Sequence, residues 1–265
     1  MDFNSIIGVV IGAALIVNGI TIGKLGNFWD AGSALIVVGG TIAAVIASYP
    51  MSVLKSIPKS LKMLVGKNPY NTSACIDTLV EFAQIARKSG LLALEEKANA
   101  LTDPFFKQSV LSVVDAMEAS KLRAMLTNEL DYMADRHEEV AGIYDKAAAL
   151  SPAFGMVGTL VGLINMLKSM DLSGDGASSL GQDMSVALIT TFYGSLLANL
   201  FFAPIAKKLR VRSEQEYLYK QIIVEGVISI QEGDNPKFLR EKLTAFMSRS
   251  QATKKGKKGA AAAES

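Results

Sequence analysis

Several threonines of this chain lie inside long apolar stretches, where their hydroxyl groups could bind a cation. Thr159 lies in one such stretch, and Thr190 and Thr191 lie near the middle of the next. A threonine hydroxyl can satisfy itself by bonding to the preceding helical turn, so a purely structural role stays open. Neutral oxygens are also the ligands that a hard cation requires when it leaves water. The three threonines are therefore either self-satisfied packing residues or ligands for a transient sodium ion.

Two prolines lie in the same apolar stretches. Pro152 is near the start of the stretch that contains Thr159, and Pro204 is near the end of the stretch that contains the other two threonines. A proline leaves one backbone carbonyl without its helical donor and can kink the helix. Prolines are common in membrane helices, so this pattern agrees equally with ordinary prolines and with hinges beside an ion path.

Carboxylates are missing from all the apolar stretches. Ion-driven membrane machines generally hold their proton or cation on a carboxylate inside the membrane. If this chain conducts ions, a partner must supply that group.

Other kinds of chemistry find no support in the sequence. One cysteine, Cys75, and one histidine, His137, are too few for an internal disulfide or a Cys/His zinc site, so we expect a packed Cys75 and a solvated His137. The chain has no phosphate-binding glycine loop before a lysine, no His-Glu-x-x-His sequence and no nucleophile elbow. We therefore predict no enzymatic activity, no cofactor and no resident metal. The net charge of +2 does not indicate nucleic-acid binding.

Four apolar stretches of membrane-spanning length must position these residues: residues 5–22, 34–51, 147–167 and 184–206. None has a charged residue in its interior, and half of the whole chain is hydrophobic. The acidic start of the chain argues for a retained first helix instead of a cleaved signal peptide. Glycines four residues apart, at Gly8 and Gly12 and at Gly158 and Gly162, favour close helix packing, for which we expect subunit contacts.

Basic residues define the expected orientation of these helices. They follow the second and the fourth stretch: Lys55, Lys59, Lys62 and Lys67, and then Lys207, Lys208, Arg210 and Arg212. Because such residues stay in the cytoplasm, both termini and the long central loop are expected inside.

The predicted fold is all-α, a polytopic membrane protein with four transmembrane helices and a helical cytoplasmic domain. We divide the chain into a first transmembrane hairpin, a cytoplasmic loop domain, a second hairpin, C-terminal helices and a disordered basic tail, at residues 1–51, 52–146, 147–206, 207–250 and 251–265.

A cluster of opposite charges surrounds Gly90 in the central loop. Arg87 and Lys88 precede this glycine, and Glu95 and Glu96 follow it. Glycine can end one helix and let the next begin, which places all four charges at a turn. Such a turn is either a solvated hairpin or a docking face for a moving partner, where charge steers contact without tight binding.

Taken together, these motifs resemble flagellar motor stator subunits of the motility protein A family, which includes a sodium-driven polar flagellar branch. The charged turn is similar to the torque-generating loop of that family. Residues 152–163 (PAFGMVGTLVGL) and 186–194 (VALITTFYG), with Pro204 and the two residues after it, are similar to its third and fourth membrane helices. The resemblance extends from Met1 to about Phe246.

The resemblance implies a pentamer in the bacterial inner membrane, built around a dimer of a B-type subunit that supplies the ion-binding aspartate. It places Pro152 and Pro204 beside the ion path, and it turns Arg87, Lys88, Glu95 and Glu96 towards the rotor switch protein of the C-ring. The expected function is to couple cation flow to torque in bacterial motility and chemotaxis. We prefer sodium over the proton because three threonine oxygens suit dehydrated sodium.

The rival family is the biopolymer-transport and colicin-import type of energy transducer. Its members share the last two helices but usually have three spans with the N-terminus outside. Four spans and the charged turn favour the flagellar interpretation.

Overall fold

Helices make up all the regular structure in the part of the chain that the computed structural model describes, residues 3–66, 69–169 and 177–247. The all-α prediction is therefore confirmed. The predicted basic tail, residues 251–265, lies outside the described residues.

The N-terminal part of the chain contains five α-helices, one 3₁₀ helix and one π-helical turn among the described residues. They follow in the order α1 (Phe3–Ile20), a 3₁₀ helix (Ile22–Phe28), α2 (Ala31–Ala34), a π turn (Leu35–Gly39), α3 (Gly40–Ser48), α4 (Met51–Leu54) and α5 (Ile57–Val65).

The remaining elements include two very long helices. In order they are α6 (Thr72–Ser89), a 3₁₀ turn (Leu91–Ala93), α7 (Leu94–Asn99), α8 (Pro104–Val114), α9 (Ala119–Ser169), α10 (Ala177–Leu196), a π turn (Leu197–Phe202), α11 (Ala203–Gln231) and α12 (Pro236–Thr244). Helix α9 has 51 residues and continues through Pro152 without a break.

The chain forms two compact units, each assembled from separated segments. The first contains residues 1–67 and 136–211, and the second contains residues 68–135 and 212–265. The five-part division predicted from the sequence stays a prediction.

Helices of membrane-spanning length and composition occur three times among the described residues, within Ala31–Ser48, Ala119–Lys168 and Leu180–Gln231. Helix α1 passes the same test when it is joined with the 3₁₀ helix that follows it, although a bend of 96° separates the two. The structure therefore agrees approximately with the four predicted spans. The 3₁₀ helix Ile22–Phe28 occupies part of the segment between the first two predicted spans, residues 23–33.

A π turn ends two residues before Pro204. In an α-helix the N–H of residue 204 would bond to the carbonyl of Leu200, but proline has no N–H, and its ring would press against that carbonyl. The wider π turn of Leu197–Phe202 lies where this conflict arises. Pro204 therefore alters the helix without breaking it.

The second unit has an apolar core from α6, α8, α9, α11 and α12. Its fully buried residues include Leu79, Leu122, Ile222, Ile223 and Leu239. Cys75 is free and 4% exposed in this core, and burial raises the pKa of its thiol to about 12. His137 is half-buried.

Candidate ion path and charged turn

Helices α9 and α10 approach each other closely because glycines line their contact. An added Cβ on Gly194 would lie 2.6 Å from the carbonyl oxygen of Ser151, and one on Gly155 would lie 3.0 Å from the carbonyl oxygen of Thr190. An added Cβ on Gly162 would lie 2.7 Å from the carbonyl oxygen of Asp183. Small residues let two backbones meet in this way. Gly158 and Gly162 therefore pack within one chain, whereas our sequence-based prediction favoured contacts between subunits.

Thr159 of α9 and Thr191 of α10 meet across this contact. Their hydroxyl oxygens are 2.6 Å apart, and Thr159 Oγ1 also lies 3.0 Å from the Ala187 carbonyl and 3.1 Å from the carbonyl of Gly155. Thr191 is exposed in the single chain, and Thr159 is half-buried. The structure thus gathers two hydroxyls and a backbone carbonyl at one partly open position.

Lone pairs remain available on these two hydroxyls. Each hydroxyl has one proton and two acceptor lone pairs, so lone pairs remain free after both protons are donated. A cation could be ligated there without the loss of either hydrogen bond. Neutral oxygens of this kind suit a hard cation that has left part of its water shell.

Thr190 lies on the buried side of the same contact. Its side chain is fully buried against Gly158, and its hydroxyl donates to the carbonyls of its own helix at Val186 and Ala187, at 3.1 and 2.9 Å. Adjacent helical residues point about 100° apart, so only one of the pair can share the open position with Thr159. Thr190 and Thr159 therefore contact the same Ala187 carbonyl, but the Thr190 side chain is fully buried, whereas Thr191 is exposed.

The two candidate prolines lie on different helices. Pro152 is half-buried in α9, and its Cα would lie 3.1 Å from a Cβ added to Gly194. Pro204 is exposed in the first turn of α11, two residues after the end of the π turn. Pro152 therefore belongs to the glycine-lined contact, whereas Pro204 lies on the continuation of α10.

A polar contact between α3 and α9 was not predicted from the sequence. Thr41 Oγ1 donates to the carbonyl of Val37 at 2.6 Å and lies 3.4 Å from Ser151 Oγ, which donates to the carbonyl of Ala147 at 2.7 Å. Both hydroxyl residues are buried. A lone threonine in an apolar stretch gives no sequence signal that distinguishes such a contact from self-satisfied packing.

A second missed contact joins α10 to the segment before α2. The Tyr193 hydroxyl donates to the carbonyl of Phe28 and accepts from the N–H of Asp30 at 3.2 Å. Asp30 in turn caps α2 by accepting from the N–H of Ser33, and the polar groups of Ser33, its side chain before its backbone N–H, lower the pKa of the Asp30 carboxyl. Tyr193 thereby fixes the start of the second predicted span.

Arg210 links α11 to α9 through two carboxylates. It forms ion pairs with Glu138 and Asp145 and donates from Nε to Glu138 Oε2 at 2.8 Å. The guanidinium lowers the pKa of Glu138. This contact lies outside the uncharged stretches of the two helices.

The charged turn has the predicted form. Arg87 and Lys88 are in the last turn of α6, and Glu95 and Glu96 are in the first turn of α7. Gly90 ends α6 with a φ of +82° and a ψ of +166°, a conformation nearly restricted to glycine. All four charged side chains are exposed, so this turn presents both signs of charge to its surroundings.

Metal-binding clusters are absent from the described residues, where no group of three or more His, Cys, Asp or Glu side chains could hold an ion. The hydroxyl pair, with no carboxylate beside it in the uncharged stretches, fits a passing ion better than a resident one.

Two family models match the chain. Residues 97–222 match the MotA/TolQ/ExbB proton channel family, and residues 6–90 match the N-terminal model of motility protein A. The first model defines the class as an ion-channel type of membrane component, not an enzyme.

Similar proteins and solved structures show which family within this class of membrane protein the chain belongs to. Motility protein A of Borreliella burgdorferi is 43% identical over 249 residues, which cover 93% of this chain and 94% of the relative. Chemotaxis protein PomA of Vibrio alginolyticus is 35% identical over 93% of this chain and 96% of its own. The flagellar MotAB stator complex of Bacillus subtilis has a TM-score of 0.87 at 30% identity, with coverage of 96% of this chain and 99% of that chain. The chain belongs to the motility protein A family of flagellar motor stator subunits.

Family membership and the apolar helices together make the chain a multi-pass protein of the bacterial inner membrane.

Proposed function

We propose that this chain is the A-type subunit of a flagellar stator and couples sodium flow across the inner membrane to rotor torque with a B-type partner. The observation that carries the proposal is the Thr159–Thr191 hydroxyl pair on the open side of the α9–α10 contact. The predicted spans contain no carboxylate, so the partner supplies the aspartate that completes the ion path.

Sodium is the coupling ion in this proposal. The hydroxyl pair and the Ala187 carbonyl offer three oxygens within hydrogen-bonding distance of one another. A proton requires only the partner's carboxylate and water, whereas dehydrated sodium requires several oxygen ligands. The free lone pairs of the pair therefore favour sodium.

Both termini and the second unit are placed in the cytoplasm by this proposal. Lysines and arginines follow the second and fourth predicted spans, and such residues stay inside. This orientation exposes the charged turn to the rotor.

The rival energy-transducer function is less consistent with the comparisons. The motility protein A model matches residues 6–90, the part that contains the first two predicted spans and the positive half of the charged turn. The relatives also match over more than nine-tenths of this chain.

Swimming tests the proposed function directly. The chain is expressed, with and without a B-type partner, in a strain that assembles flagella but lacks its own stators. Swimming is expected only when both subunits are present. Swimming with the partner alone, or its absence when both subunits reach the membrane at normal level, contradicts the proposal.

The assembly is expected to contain five copies of this chain around two copies of the partner. Leu160, Ile164 and Leu167 of α9 are more than half exposed in the single chain, as expected for a helix that contacts lipid or other subunits. Native mass spectrometry of the detergent-solubilised complex counts the subunits. A stable monomer in the presence of the partner contradicts this prediction.

The charged turn is proposed as the face that meets the rotor switch protein. We expect simultaneous reversal at two positions, Arg87→Glu with Glu95→Arg, to reduce torque in viscous medium several-fold. Membrane insertion and protein level should be unchanged because both side chains are exposed. Single reversals should be mild, since an exposed ion pair contributes about 1 kcal/mol or less.

Glu118→Lys with Lys121→Glu is the matched control. These residues form an exposed ion pair in the same unit, with 3.2 Å between Lys121 Nζ and Glu118 Oε2, and they lie at the start of α9, outside the sequence of the turn. The control should swim normally. Equal torque from both double variants would show that the turn is not the rotor face.

A further inference from the structure

Helix α5 lies close to the end of the second span and is held by one face. Residues 49–56 alone separate it from the end of α3. Ile57 packs against the cluster of Val45, Ile143 and Ala147, and the buried Ser60 has its Oγ 2.8 Å from the Tyr144 hydroxyl. This contact fixes how α5 is rotated about its own axis.

The apolar surface of α5 is wider than the part that the protein covers. Leu61 and Met63 flank the covered face on either side, and they are 43% and 37% exposed. At 100° per residue, Lys59 and Lys62 lie on the side opposite Ile57. The apolar face of this amphipathic helix is therefore wider than the surface that packs against the protein. The exposed remainder consists of apolar flanks and a basic outer side.

The lysines of this segment have no carboxylate partner in the part of the chain that the structure describes. Lys55, Lys59 and Lys62 form no ion pair with any described residue. Residues 51–67 contain four lysines and no acidic residue. A second copy of this segment would therefore repel the first, and the charge is complementary to an anionic surface.

We propose that α5 is an interfacial helix whose exposed apolar flank enters the acyl-chain boundary and whose lysines bind the headgroups of anionic phospholipids. A helix with an apolar face and a basic face adopts this position at a membrane surface. Each lysine near an anionic leaflet adds to the attraction. The inference requires that the chain spans the membrane, but it is independent of the coupling ion and of torque.

Tryptophan fluorescence tests the depth of the apolar flank. The chain has one tryptophan, Trp29, so the variants carry Trp29→Phe together with either Leu61→Trp or, as the control, Leu92→Trp. Leu92 is 74% exposed in the charged turn. In vesicles of phospholipid brominated on the acyl chains, the tryptophan at position 61 should be quenched, and the one at position 92 should not. Equal quenching at the two positions overturns the proposal.

Bound lipid tests the role of the lysines. The full chain is purified from membranes, and its retained anionic and zwitterionic phospholipids are measured by mass spectrometry. Lys59→Gln with Lys62→Gln should lower the enrichment in anionic lipid by up to about 25-fold, since each lysine near an anionic surface is worth about fivefold. Arginine at both positions should restore the enrichment.

The control for lipid binding is Lys121→Gln with Lys237→Gln, two exposed lysines of the other unit. This variant loses the same charge and should keep its anionic lipid. If both glutamine pairs lose anionic lipid equally, net charge is responsible and α5 is not the binding surface. Should the α5 glutamine variant fail to fold, the fluorescence result decides the proposal alone.

Discussion

Replacing Thr191 with valine is expected to abolish swimming at sodium concentrations that support the parent protein, with no change in protein level. Valine keeps the shape of threonine and removes only the hydroxyl. Thr191 lies on the open side and shares its hydrogen bond with Thr159. An interaction of this kind with a charged group is worth about 1.5–3 kcal/mol, so the sodium concentration for half-maximal speed should rise roughly tenfold or more.

Thr190→Val provides the matched control, because it makes the same change at the adjacent residue. The Thr190 hydroxyl is fully buried and bonds only within its own helix in the described structure, so its loss should cost about 1 kcal/mol of stability and leave the sodium dependence unchanged. Swimming speed is measured against sodium concentration at fixed pH. If the parent's speed ignores sodium, the ion is not sodium, and Thr191→Val should then be nearly silent.

Gly194→Ala is expected to disrupt the α9–α10 contact and to stop motility. The new Cβ would lie 2.6 Å from the carbonyl oxygen of Ser151 and 3.1 Å from the Cα of Pro152. Both are backbone atoms and cannot turn aside, so the helices must separate. Overpacking of this kind typically costs about 1–3 kcal/mol. Thermal unfolding of the solubilised protein should shift to lower temperature.

Gly181→Ala on the same helix separates this packing effect from the general effect of alanine. No atom lies within 4 Å of a Cβ added to Gly181. Alanine is a better helix former than glycine by about 1 kcal/mol, so this variant should keep or raise the unfolding temperature and should swim. Equal destabilisation by both substitutions would contradict the close contact at Gly194.

The spacing of the three threonines predicts part of the candidate ion path but not all of it. Because Thr190 and Thr191 are adjacent, the sequence predicts that at most one of them faces an ion path with Thr159. It does not say which one, because that depends on how α10 is rotated against α9. The rotation follows from Gly155, Gly158 and Gly194, whose missing side chains determine where the helices touch.

Hydrophobic periodicity and turn chemistry account for the parts of the fold that were predicted. Long uncharged stretches predict membrane helices because a backbone in lipid must bond within itself, and Gly90 marks the charged turn because few other residues adopt its φ and ψ. The bend after α1 and the Thr41–Ser151 contact were not predicted. The contact depends on how two separate helices meet, which the composition of one segment does not encode. The bend lies at Thr21, whose φ of +71° is uncommon for threonine and is not indicated by the sequence pattern.

The rotation of a single motor shows whether this chain and a B-type partner together generate torque. A bead is attached to one flagellum of a strain without stators, and this chain is induced together with its B-type partner. We expect bead speed to rise in equal steps as stators join the motor, and no step to occur when either subunit is absent. A bead that stays still while both subunits reach the membrane at normal levels would contradict this expectation.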